Sequence, residues 1–562
     1  MFDPGNIIRA SARAAVLKAL SDAAINGNLP DARDASFIIE APKDPAKGDL
    51  ACNAALVLSG EFKLPPRNIA AIIVEELTFD KSVFEKVEIA GPGFINFFLS
   101  SEFYAFALEG ILRETDDYGK LGVGRGEKYM VEFVSANPTG PMHLGNARGG
   151  ALGDCLASVL GAAGYEVTRE FYVNDAGSQI EKFALSLEAR YLALFDEDFP
   201  FPEDGYHGRD IEAHAVEFAE IHKDGYVKKP AEERRQALVD FALPLNLERM
   251  KSDLHEYRID FDVWFRESRL HRAKTVEKVL ELLRQRDALY EKDGALWYRA
   301  TEYGGEKDEV LVRASGYPTY FAVDIAYHYN KFAERGFERV INIWGADHHG
   351  HVARLKSAMD ALGLDGKKLD IVINQMVNLM QGGEPARMSK RTGKAITLST
   401  LLDEIPVDAA RFFFNLREPK SHLDFDLDLA AKQDSENPVY YVQYAHARIC
   451  SILKGLEAGG IDVGEAHNYD FSALTAFEER RLIMHLIGLP GEIAAAAREY
   501  DPAKITRYTI ELAAQFHKFY TNCRVKGEEN SVMYPRIALC VASRQVIRNC
   551  LSLLKISAPE SM

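Results

Sequence analysis

The sequence predicts a multi-domain α/β protein with a doubly wound parallel sheet in its middle part, an α+β segment before it and an α-helical bundle after it. Between residues 128 and 400, strand-like apolar runs alternate with helical patterns, as in parallel sheets covered by helices. From residue 401 onward, apolar residues recur almost entirely at helical spacing, which indicates a bundle. The 562 residues also exceed what one hydrophobic core usually holds, about 250–300 residues.

Residues 1–115 are predicted to form the first domain. Helical patterns cover Ile8–Ile25 and Ile69–Leu77, a strand is expected at Phe37–Ala41, and Lys86–Leu99 has the pattern of a β-hairpin. These elements indicate an α+β accessory domain without a catalytic group of side chains. Residues 116–127 are predicted to be a linker, because their glycines precede a strand, whereas the glycines of a dinucleotide-binding loop follow one.

Residues 128–400 are predicted to form the sheet domain. The first strand covers Tyr129–Val134, a Gly- and Ala-rich helix covers Ala147–Ala163, and a second strand covers Tyr165–Asn174. A mostly helical insertion is expected at about residues 177–299. The sheet is then predicted to resume with four strands: Ala295–Arg299, Val310–Val312, Val340–Trp344 and Leu369–Asn374. Residues 401–562 form the predicted helical domain.

The most informative stretch is Glu132–Gly153, EFVSANPTGPMHLGNARGGALG, in which a buried strand leads through a turn into a helix. His143-Leu144-Gly145-Asn146 falls at the predicted helix N-terminus, where unpaired N–H groups and the helix dipole favour anions. Gly145 would let a nucleotide approach the backbone, and His143 could donate to phosphoryl oxygens. The alternative for His143 is a role in capping the helix or in the core.

A second segment, Arg387–Lys394, places four cations among Ser, Thr and Gly. This composition suits a mobile loop that closes on a polyphosphate and stabilises its charge. For an isolated basic run, a solvated surface loop is the alternative.

Together, the two segments resemble the HIGH and KMSKS nucleotide motifs of class I aminoacyl-tRNA synthetases. With the Asp-Leu-Ala segment near residue 50 and the Tyr-rich helix near residue 440, the whole chain resembles arginyl-tRNA synthetases. The resemblance implies a Rossmann-like catalytic domain that uses ATP to attach L-arginine to tRNA(Arg) through an arginyl-adenylate. Two departures stand out. Asn146 replaces the family's frequent second histidine, and Arg387 and Arg391 replace the usual Lys and Ser.

The resemblance implies two catalytic residues, His143 as a donor to the phosphate oxygens and Lys390 as the clamp on pyrophosphate. It also implies a larger set of ATP-binding residues. These are Pro138, Gly140, His143, Gly145, Asn146, Gly345, Asp347, His348, Met388, Ser389 and Lys390.

The histidine-rich segment Trp344–His351 leaves two interpretations open. Three histidines and one aspartate are possible metal ligands, but adjacent residues rarely point to one centre. The resemblance instead assigns its Gly-x-Asp-His-His part to the ribose and adenine of ATP. Mg²⁺ is expected to arrive with ATP, and no protein-bound zinc is expected.

A guanidinium substrate calls for carboxylates and rigid acceptors. Glu132, Ser135 and Asn137 lie on the first strand and its exit, and Tyr320 and Asp324 are four residues apart on a predicted helix. The resemblance implies that Glu132 and Asn137 bind the α-amino end of arginine and that Asp324 and Tyr320 bind the guanidinium. For Glu132, an ion pair inside the sheet is the alternative. No editing domain would be required.

Aromatic and cationic residues interleave on the predicted helix Val439–Leu456, where Tyr440, Tyr444 and Arg448 are candidates for stacking on tRNA bases. The spacing of Tyr440 and Tyr444 is equally compatible with packing inside the bundle. In the resembling family the helical domain reads the anticodon and the N-terminal domain contacts the tRNA elbow.

The composition predicts a cytoplasmic protein. Six scattered cysteines without a Cys-x-x-Cys pair are typical of a reducing compartment, and no apolar run approaches a membrane span of about 18–20 residues. The net charge of −17 argues against non-specific nucleic-acid binding, so a tRNA surface would need locally concentrated cations. The expected partners are tRNA(Arg), L-arginine and ATP, with no membrane, and the chain is expected to act as a monomer.

Three other functions are compatible with parts of the pattern. A cysteinyl or glutamyl class I synthetase would share the motifs, although the cysteine spacing does not favour the zinc site of a cysteinyl enzyme. A nucleotidylyltransferase would share the His-x-Gly-x fold but not the long helical C-terminal region. A non-catalytic tRNA-binding relative would share the fold, but both nucleotide motifs are intact.

Overall fold

A computed structural model describes residues 1–195, 199–386 and 396–562 of the chain. The chain divides into two compact units. The first unit comprises Met1–Val123, Gln433–Glu499 and Lys504–Met562, and the second comprises Gly124–Lys432 with Tyr500–Ala503.

The N-terminal part of the first unit packs four helices, two of them predicted, against a small antiparallel sheet, which is the α+β arrangement that the sequence predicts. Its helices are α1 (Pro4–Ile25), α2 (Ala54–Phe62), α3 (Pro66–Glu76) and α4 (Ser101–Glu114). Its strands are β1 (Ile39–Glu40), β2 (Leu50–Cys52), β3 (Phe84–Ala90) and β4 (Phe94–Leu99), in the order β1-β2-β4-β3. The predicted hairpin is β3–β4.

The second unit alternates strands and helices. Its strands are β5 (Lys128–Glu132), β6 (Glu166–Val173), β7 (Val263–Arg266), β8 (Leu289–Lys292), β9 (Ala295–Tyr298), β10 (Glu309–Val312), β11 (Arg339–Gly345), β12 (Leu369–Asn374), β13 (Val377–Gln381), β14 (Glu384–Pro385) and β15 (Leu423–Asp426). Its helices are α5 (Leu144–Ala162), α6 (Ser178–Ala193), α7 (Arg209–His222), α8 (Ala231–Glu256), α9 (Ser268–Arg272), α10 (Thr275–Gln285), α11 (Tyr320–Tyr329), α12 (Val352–Ala361), α13 (Leu398–Glu404), α14 (Val407–Phe414) and α15 (Leu427–Ala431).

The central sheet of the second unit has the order β12-β11-β5-β6-β7, and every neighbouring pair is parallel. From β5 the chain continues to β6 on one side, while β11 returns on the other. The strand order therefore reverses between β5 and β11, and ligands of doubly wound sheets bind outside the strand ends at such a point. This architecture confirms the predicted fold class.

Two strand predictions were wrong. Ala295–Arg299 and Val310–Val312 do not enter the central sheet; they belong to a separate antiparallel sheet with the order β10-β9-β8. Short apolar runs look the same in either sheet, so the local pattern could not assign them. β7, which was not predicted as a sheet strand, takes the edge position instead, and the helices α6, α7 and α8 fill the chain between β6 and β7.

Helix α5 packs very closely on the end of β5. A Cβ atom added at Gly153 would lie 2.2 Å from Cγ of Phe133, which is fully buried. Deeper in this layer, the buried Asp154 carboxylate accepts from Arg169 (2.9 Å) and from Arg411 (2.6 Å). The helix that begins at the predicted anion site is thus held by both close packing and a buried ion-pair network.

The C-terminal part of the first unit is helical, with α16 (Pro438–Ala458), α17 (Phe477–Ile487), α18 (Leu489–Glu499), α19 (Ala503–Asn522) and α20 (Asn530–Leu553). This confirms the predicted bundle. Across the described parts of the chain, no helix combines the length and apolar character that crossing a membrane requires.

Candidate active site

The loop that leaves β5 has an uncommon backbone. Val134 and Ser135 both have positive φ angles, 66° and 42°, although neither is glycine and Val134 is β-branched. Ser135 is held in place by its hydroxyl, which accepts from the backbone N of Tyr172 (3.1 Å) and donates to Oε1 of Glu132 (3.1 Å). Such strained positions persist only where their surroundings fix them, and they cluster at functional sites.

His143 is the N-cap residue of α5. Its Nδ1 accepts from the backbone N of Gly145 (3.1 Å), while Oδ1 of Asn146 accepts from the backbone N of His143 (3.0 Å). Because Nδ1 is an acceptor, the proton of the neutral ring is on Nε2, the other nitrogen. Burial lowers the pKa of His143 below its ordinary value of 6.5, and the Asp347 carboxylate acts in the opposite direction. His143 therefore caps the helix, and its neutral ring has a second nitrogen available as a donor.

A first cavity of about 850 Å³ lies at this helix N-terminus, between the ends of β5 and β11. Most of the residues predicted to bind ATP line it: Gly140, His143, Gly145, Asn146, Gly345, Asp347 and His348. Pro138 is buried behind the wall, where its carbonyl accepts from Nδ2 of Asn246 (3.0 Å). Asn137, predicted with the arginine set, lines this first cavity.

The predicted basic loop lies outside the described residues, and with it Met388, Ser389 and Lys390. The chain on its C-terminal side returns to the first cavity. Thr397 forms a β-bridge with His143, and the backbone N of Leu398 donates to the carbonyl of Met142 (2.9 Å). Backbone contacts therefore join the first motif to residues 397 and 398, which follow the basic segment in sequence.

A second cavity of about 750 Å³ shares one wall with the first. The residues lining both are Val134, Ser135, Ile343, Trp344, Gly345, Asp347 and His348. Four of the residues predicted to bind arginine line the second cavity: Glu132, Ser135, Tyr320 and Asp324. Tyr320 and Asp324 share one face of α11, as predicted, and the Tyr320 hydroxyl is hydrogen-bonded to Ser178.

Glu132 forms a buried ion pair. Nζ of Lys331, which is fully buried in a π-helical turn after α11, donates to Oε2 of Glu132 (2.5 Å) and to Oδ1 of Asn342 (3.1 Å). Nδ2 of Asn342 in turn contacts Nε2 of His328 (2.8 Å), and burial lowers the pKa of His328 well below its usual value. The ion pair that was the alternative for Glu132 is present, and it leaves Oε1 bonded to Ser135 at the cavity wall.

Asp324 belongs to a chain of polar side chains along the second cavity. Its Oδ2 lies 2.9 Å from Nε2 of His351, whose Nδ1 lies 2.5 Å from Nε of Arg354. Arg354 also donates to Oε1 of Glu309 (3.1 Å) and lies over the ring of Phe321 (5.1 Å). All of these residues line the cavity.

The histidine-rich segment forms a short 3₁₀ turn, Ala346–His351, directly after β11. Nε2 of His348 lies 3.6 Å from Oδ2 of Asp347. In the described portion of the chain, His, Cys, Asp and Glu side chains do not form groups of three or more that could hold a metal ion.

The predicted tRNA-contacting residues lie in the first unit, on one face of α16. The rings of Tyr440 and Tyr444 are nearly parallel, with an interplanar angle of 6° and 6.4 Å between their centroids. Tyr444 is 41% exposed. Arg448 lies over the ring of Tyr520 (5.0 Å), and His517 lies 6.3 Å from Tyr444. We call Tyr440, Tyr444, Arg448, His517 and Tyr520 the aromatic stripe.

Several residues that line the two cavities are not among those predicted from the sequence. Tyr206, from the insertion, and three residues at the end of β12 line the first cavity: Asn374, Gln375 and Met376. Glu309, His351 and Arg354 line the second. Only His351 had a signal, as a member of the histidine-rich segment; the others reach the site through contacts between elements far apart in sequence.

Three family models match the chain. They describe the arginyl tRNA synthetase N-terminal domain at residues 10–99, the catalytic domain of class I (R) tRNA synthetases at residues 108–424, and the DALR anticodon-binding domain at residues 442–562. Together these matches extend over most of the sequence, in the order of the predicted domains.

Similar proteins include two arginine–tRNA ligases. That of Caldanaerobacter subterraneus subsp. tengcongensis is 54% identical over 547 residues, 97% of each chain, and that of Ruminiclostridium cellulolyticum is 52% identical over 557 residues, 99% of each. The solved structure of Thermus thermophilus arginyl-tRNA synthetase has a TM-score of 0.74, covers 98% of this chain and 100% of its own, and is 23% identical. At that identity the structural likeness concerns the fold alone.

Proposed function

This chain belongs to the class I arginyl-tRNA synthetases, and we propose how its two cavities divide the substrates of that reaction. The enzyme is an arginine–tRNA ligase, which uses ATP to attach L-arginine to tRNA(Arg) through an arginyl-adenylate and releases AMP and pyrophosphate. In the proposal, ATP binds in the first cavity and L-arginine binds in the second.

The observation that carries the proposal is the wall that the two cavities share, formed by the strained loop after β5 and the end of β11. The carboxylate of an arginine bound in the second cavity would lie next to the α-phosphate of an ATP bound in the first cavity, at this shared wall. Adenylate formation requires this meeting of reactants, and holding two reactants in line can supply a large part of the rate enhancement.

On the nucleotide side, we assign His143 Nε2–H as the donor to phosphoryl oxygens, because Nδ1 is already an acceptor for Gly145 N. The N-terminus of α5 adds its backbone N–H groups. Lys390, outside the described residues, is proposed to bind the departing pyrophosphate. Mg²⁺ enters as part of the ATP substrate, and of the described residues lining the first cavity, Asp347 is the one with a carboxylate.

On the arginine side, we assign the guanidinium to Asp324 and Tyr320, which face the cavity one helical turn apart. Glu132 and Ser135 offer acceptors near the shared wall, with Asn137 on its other side, and these are proposed to bind the α-amino end. A site built around hydrogen bonds to a guanidinium rejects amino acids without those donors, so selection would not need an editing domain.

The aromatic stripe is proposed to stack on unpaired bases of tRNA(Arg). It combines one exposed and several half-buried aromatic rings with an arginine, and aromatic rings beside cations are the combination that binds single-stranded nucleic acid. We expect Tyr444→Ala to raise the KM for tRNA about 10-fold and leave the KM for arginine unchanged, since losing a base–aromatic stack costs about 1–3 kcal/mol. Steady-state aminoacylation measures both constants, and Arg498→Ala, an exposed arginine elsewhere in the bundle, is the control. An unchanged KM for tRNA would remove the stripe from the proposal.

We also propose that the enzyme acts as a monomer in the cytoplasm. Both cavities are lined by residues of one chain, and all six cysteines are buried thiols, as expected in a reducing compartment.

The arginine assignment is tested with Asp324→Asn, which keeps the shape of the side chain and removes its charge. We expect the KM for arginine to rise about 10- to 100-fold, the range for losing a hydrogen bond to a charged group, with the KM for ATP unchanged. Aminoacylation kinetics provide the measurement, and Glu291→Gln, an exposed carboxylate on β8, is the control. If the KM for arginine does not change, Asp324 does not bind the guanidinium.

A further inference from the structure

We infer that His351 is a positioning residue for arginine selection: it orients Asp324 and holds the cation of Arg354 away from it, so that Asp324 keeps its negative charge for the substrate. The inference rests on the proposed binding of the guanidinium by Asp324.

The geometry orders the four side chains in a row. Asp324 Oδ2 is 2.9 Å from His351 Nε2, His351 Nδ1 is 2.5 Å from Arg354 Nε, and an Arg354 NH group is 3.1 Å from Glu309 Oε1. The imidazole ring thus lies directly between the carboxylate of Asp324 and the guanidinium of Arg354. His351 itself is largely buried, with 12% of its side chain exposed.

The contact with Arg354 fixes the proton of His351. A guanidinium has only donors, so Nδ1 must accept from Arg354 Nε and cannot carry a proton. The proton of the ring is therefore on Nε2, where it is donated to Asp324. His351 is neutral in this arrangement and gives Asp324 a directed hydrogen bond without compensating its charge.

The neutral state of His351 matters because of how the other charges along the second cavity are paired. Glu132 is paired with Lys331, and Glu309 is paired with Arg354. The partner that the structure describes for the Asp324 carboxylate is the neutral His351. Asp324 thus retains a charge for a cationic substrate, whereas a direct contact with Arg354 would replace the substrate guanidinium by one from the protein.

Glu309 and Phe321 hold Arg354 on its side of the imidazole. Without the imidazole ring, the flexible Arg354 side chain could reach Asp324, a second carboxylate that has no cation beside it in the described contacts. A histidine that only filled space between Phe321 and Trp344 would have no such effect on charge.

The test compares four variants by steady-state aminoacylation. For His351→Ala we expect the KM for arginine to rise about 10- to 100-fold with kcat within about 2-fold, because Arg354 then competes for Asp324. Adding Arg354→Met should lower that KM again by about 10-fold, since the competing cation is gone. His351→Gln, which can still donate to Asp324 without a charge, should stay within about 3-fold of the wild type. Thermal unfolding checks that each variant is folded.

Two results would overturn the inference. A double variant whose KM for arginine equals or exceeds that of His351→Ala would show that Arg354 does not compete, and an unchanged KM in His351→Ala would show that His351 does not position Asp324. Asp324→Asn, measured alongside, separates the two levels. If it leaves the KM for arginine unchanged, the proposed function of Asp324 fails first; if it raises the KM while His351→Ala does not, only the inference fails.

Discussion

At the scale of single residues, His143 uses its two ring nitrogens for different purposes. Nδ1 accepts from the N–H of Gly145 and so caps α5, while Nε2 is left as the donor toward the first cavity. Asparagine is also a good N-cap residue, but it lacks a group in the position of Nε2. The two purposes can therefore be separated by substitution.

We expect His143→Asn to keep the stability of the enzyme and His143→Ala to lower it by about 1 kcal/mol, the usual cost of losing a helix cap. Both variants should lose activity by about 100-fold, the typical effect of removing one donor to developing charge. Thermal unfolding and aminoacylation rates are the measurements. Equal stability of the two variants would show that a capping side chain at this position does not contribute to stability. Full activity of His143→Asn would show that Nε2 is not needed as a donor.

The pH dependence of stability gives a second test of the neutral state of His143. The pKa of His143 lies below 6.5 in the folded enzyme, so the unfolded chain binds the proton first as the pH falls. Because burial disfavours the charged ring, the free energy of unfolding is unaffected by His143 above pH 6.5 and falls as the pH drops from there to the lowered pKa, which thermal unfolding at a series of pH values measures. His143→Asn should not show this loss.

Predicted site residues lie together in the structure where the contacts between them are local. His143, Gly145 and Asn146 follow one strand directly, so the strand–turn–helix pattern was enough to bring them to the cavity. The Glu132–Lys331 pair joins residues 199 positions apart, and no local pattern contains it. The same is true of the contact between Asp324 and His351, which joins α11 to the turn after β11.

At the scale of elements, helix α5 contains glycines with different surroundings, and only some of them allow its close packing at the end of β5. Gly153 lies against Phe133, where an added Cβ would meet three ring or Cβ atoms within 2.6 Å. Gly161, in the last turn of the same helix, is exposed and has nothing within 4 Å of an added Cβ. One helix thus contains both a position that needs glycine and one that does not.

We expect Gly153→Ala to destabilise the enzyme by about 1–3 kcal/mol, the cost of overpacking a core, and to lower activity because Phe133 leads into the loop of the active site. Gly161→Ala should instead stabilise it by about 0.5–1 kcal/mol, since alanine favours a helix over glycine. Thermal unfolding of the pair measures the difference. Two shifts of the same sign would contradict the close packing of α5 on Phe133.

Most predicted elements match helices or strands of the structure, but two short strands were assigned to the wrong sheet. The helix α5 and the central-sheet strands β5, β6, β11 and β12 were identified, whereas the helix α13, which follows the basic segment, was not predicted. β9 and β10 were identified as strands but assigned to the wrong sheet, because which partner a strand takes depends on tertiary contacts that a sequence pattern does not contain.

At the scale of the whole molecule, the N-terminal segment and the helical bundle form one compact unit, although more than 300 residues separate them in sequence. The contacts include Tyr118, whose buried hydroxyl donates to the carbonyl of Leu486 (2.8 Å). Asn549 donates to the carbonyls of Thr115 (2.9 Å) and Tyr118 (3.0 Å). The sequence predicted both parts, but their boundaries at residues 115 and 401 remain predictions, and nothing in the pattern indicated that the two parts share a core.

This arrangement predicts that the two parts of the first unit lose structure together. Tyr118→Phe should destabilise that unit by about 1–3 kcal/mol, because the Leu486 carbonyl loses a buried donor. Amide hydrogen exchange should then speed up in both Met1–Val123 and the helices α16–α20, and much less in the sheet of the second unit. Tyr317→Phe, at a residue that is 72% exposed, is the control. Faster exchange confined to the N-terminal segment would mean that the bundle is stable without it, and that the two parts are separate folding units held side by side.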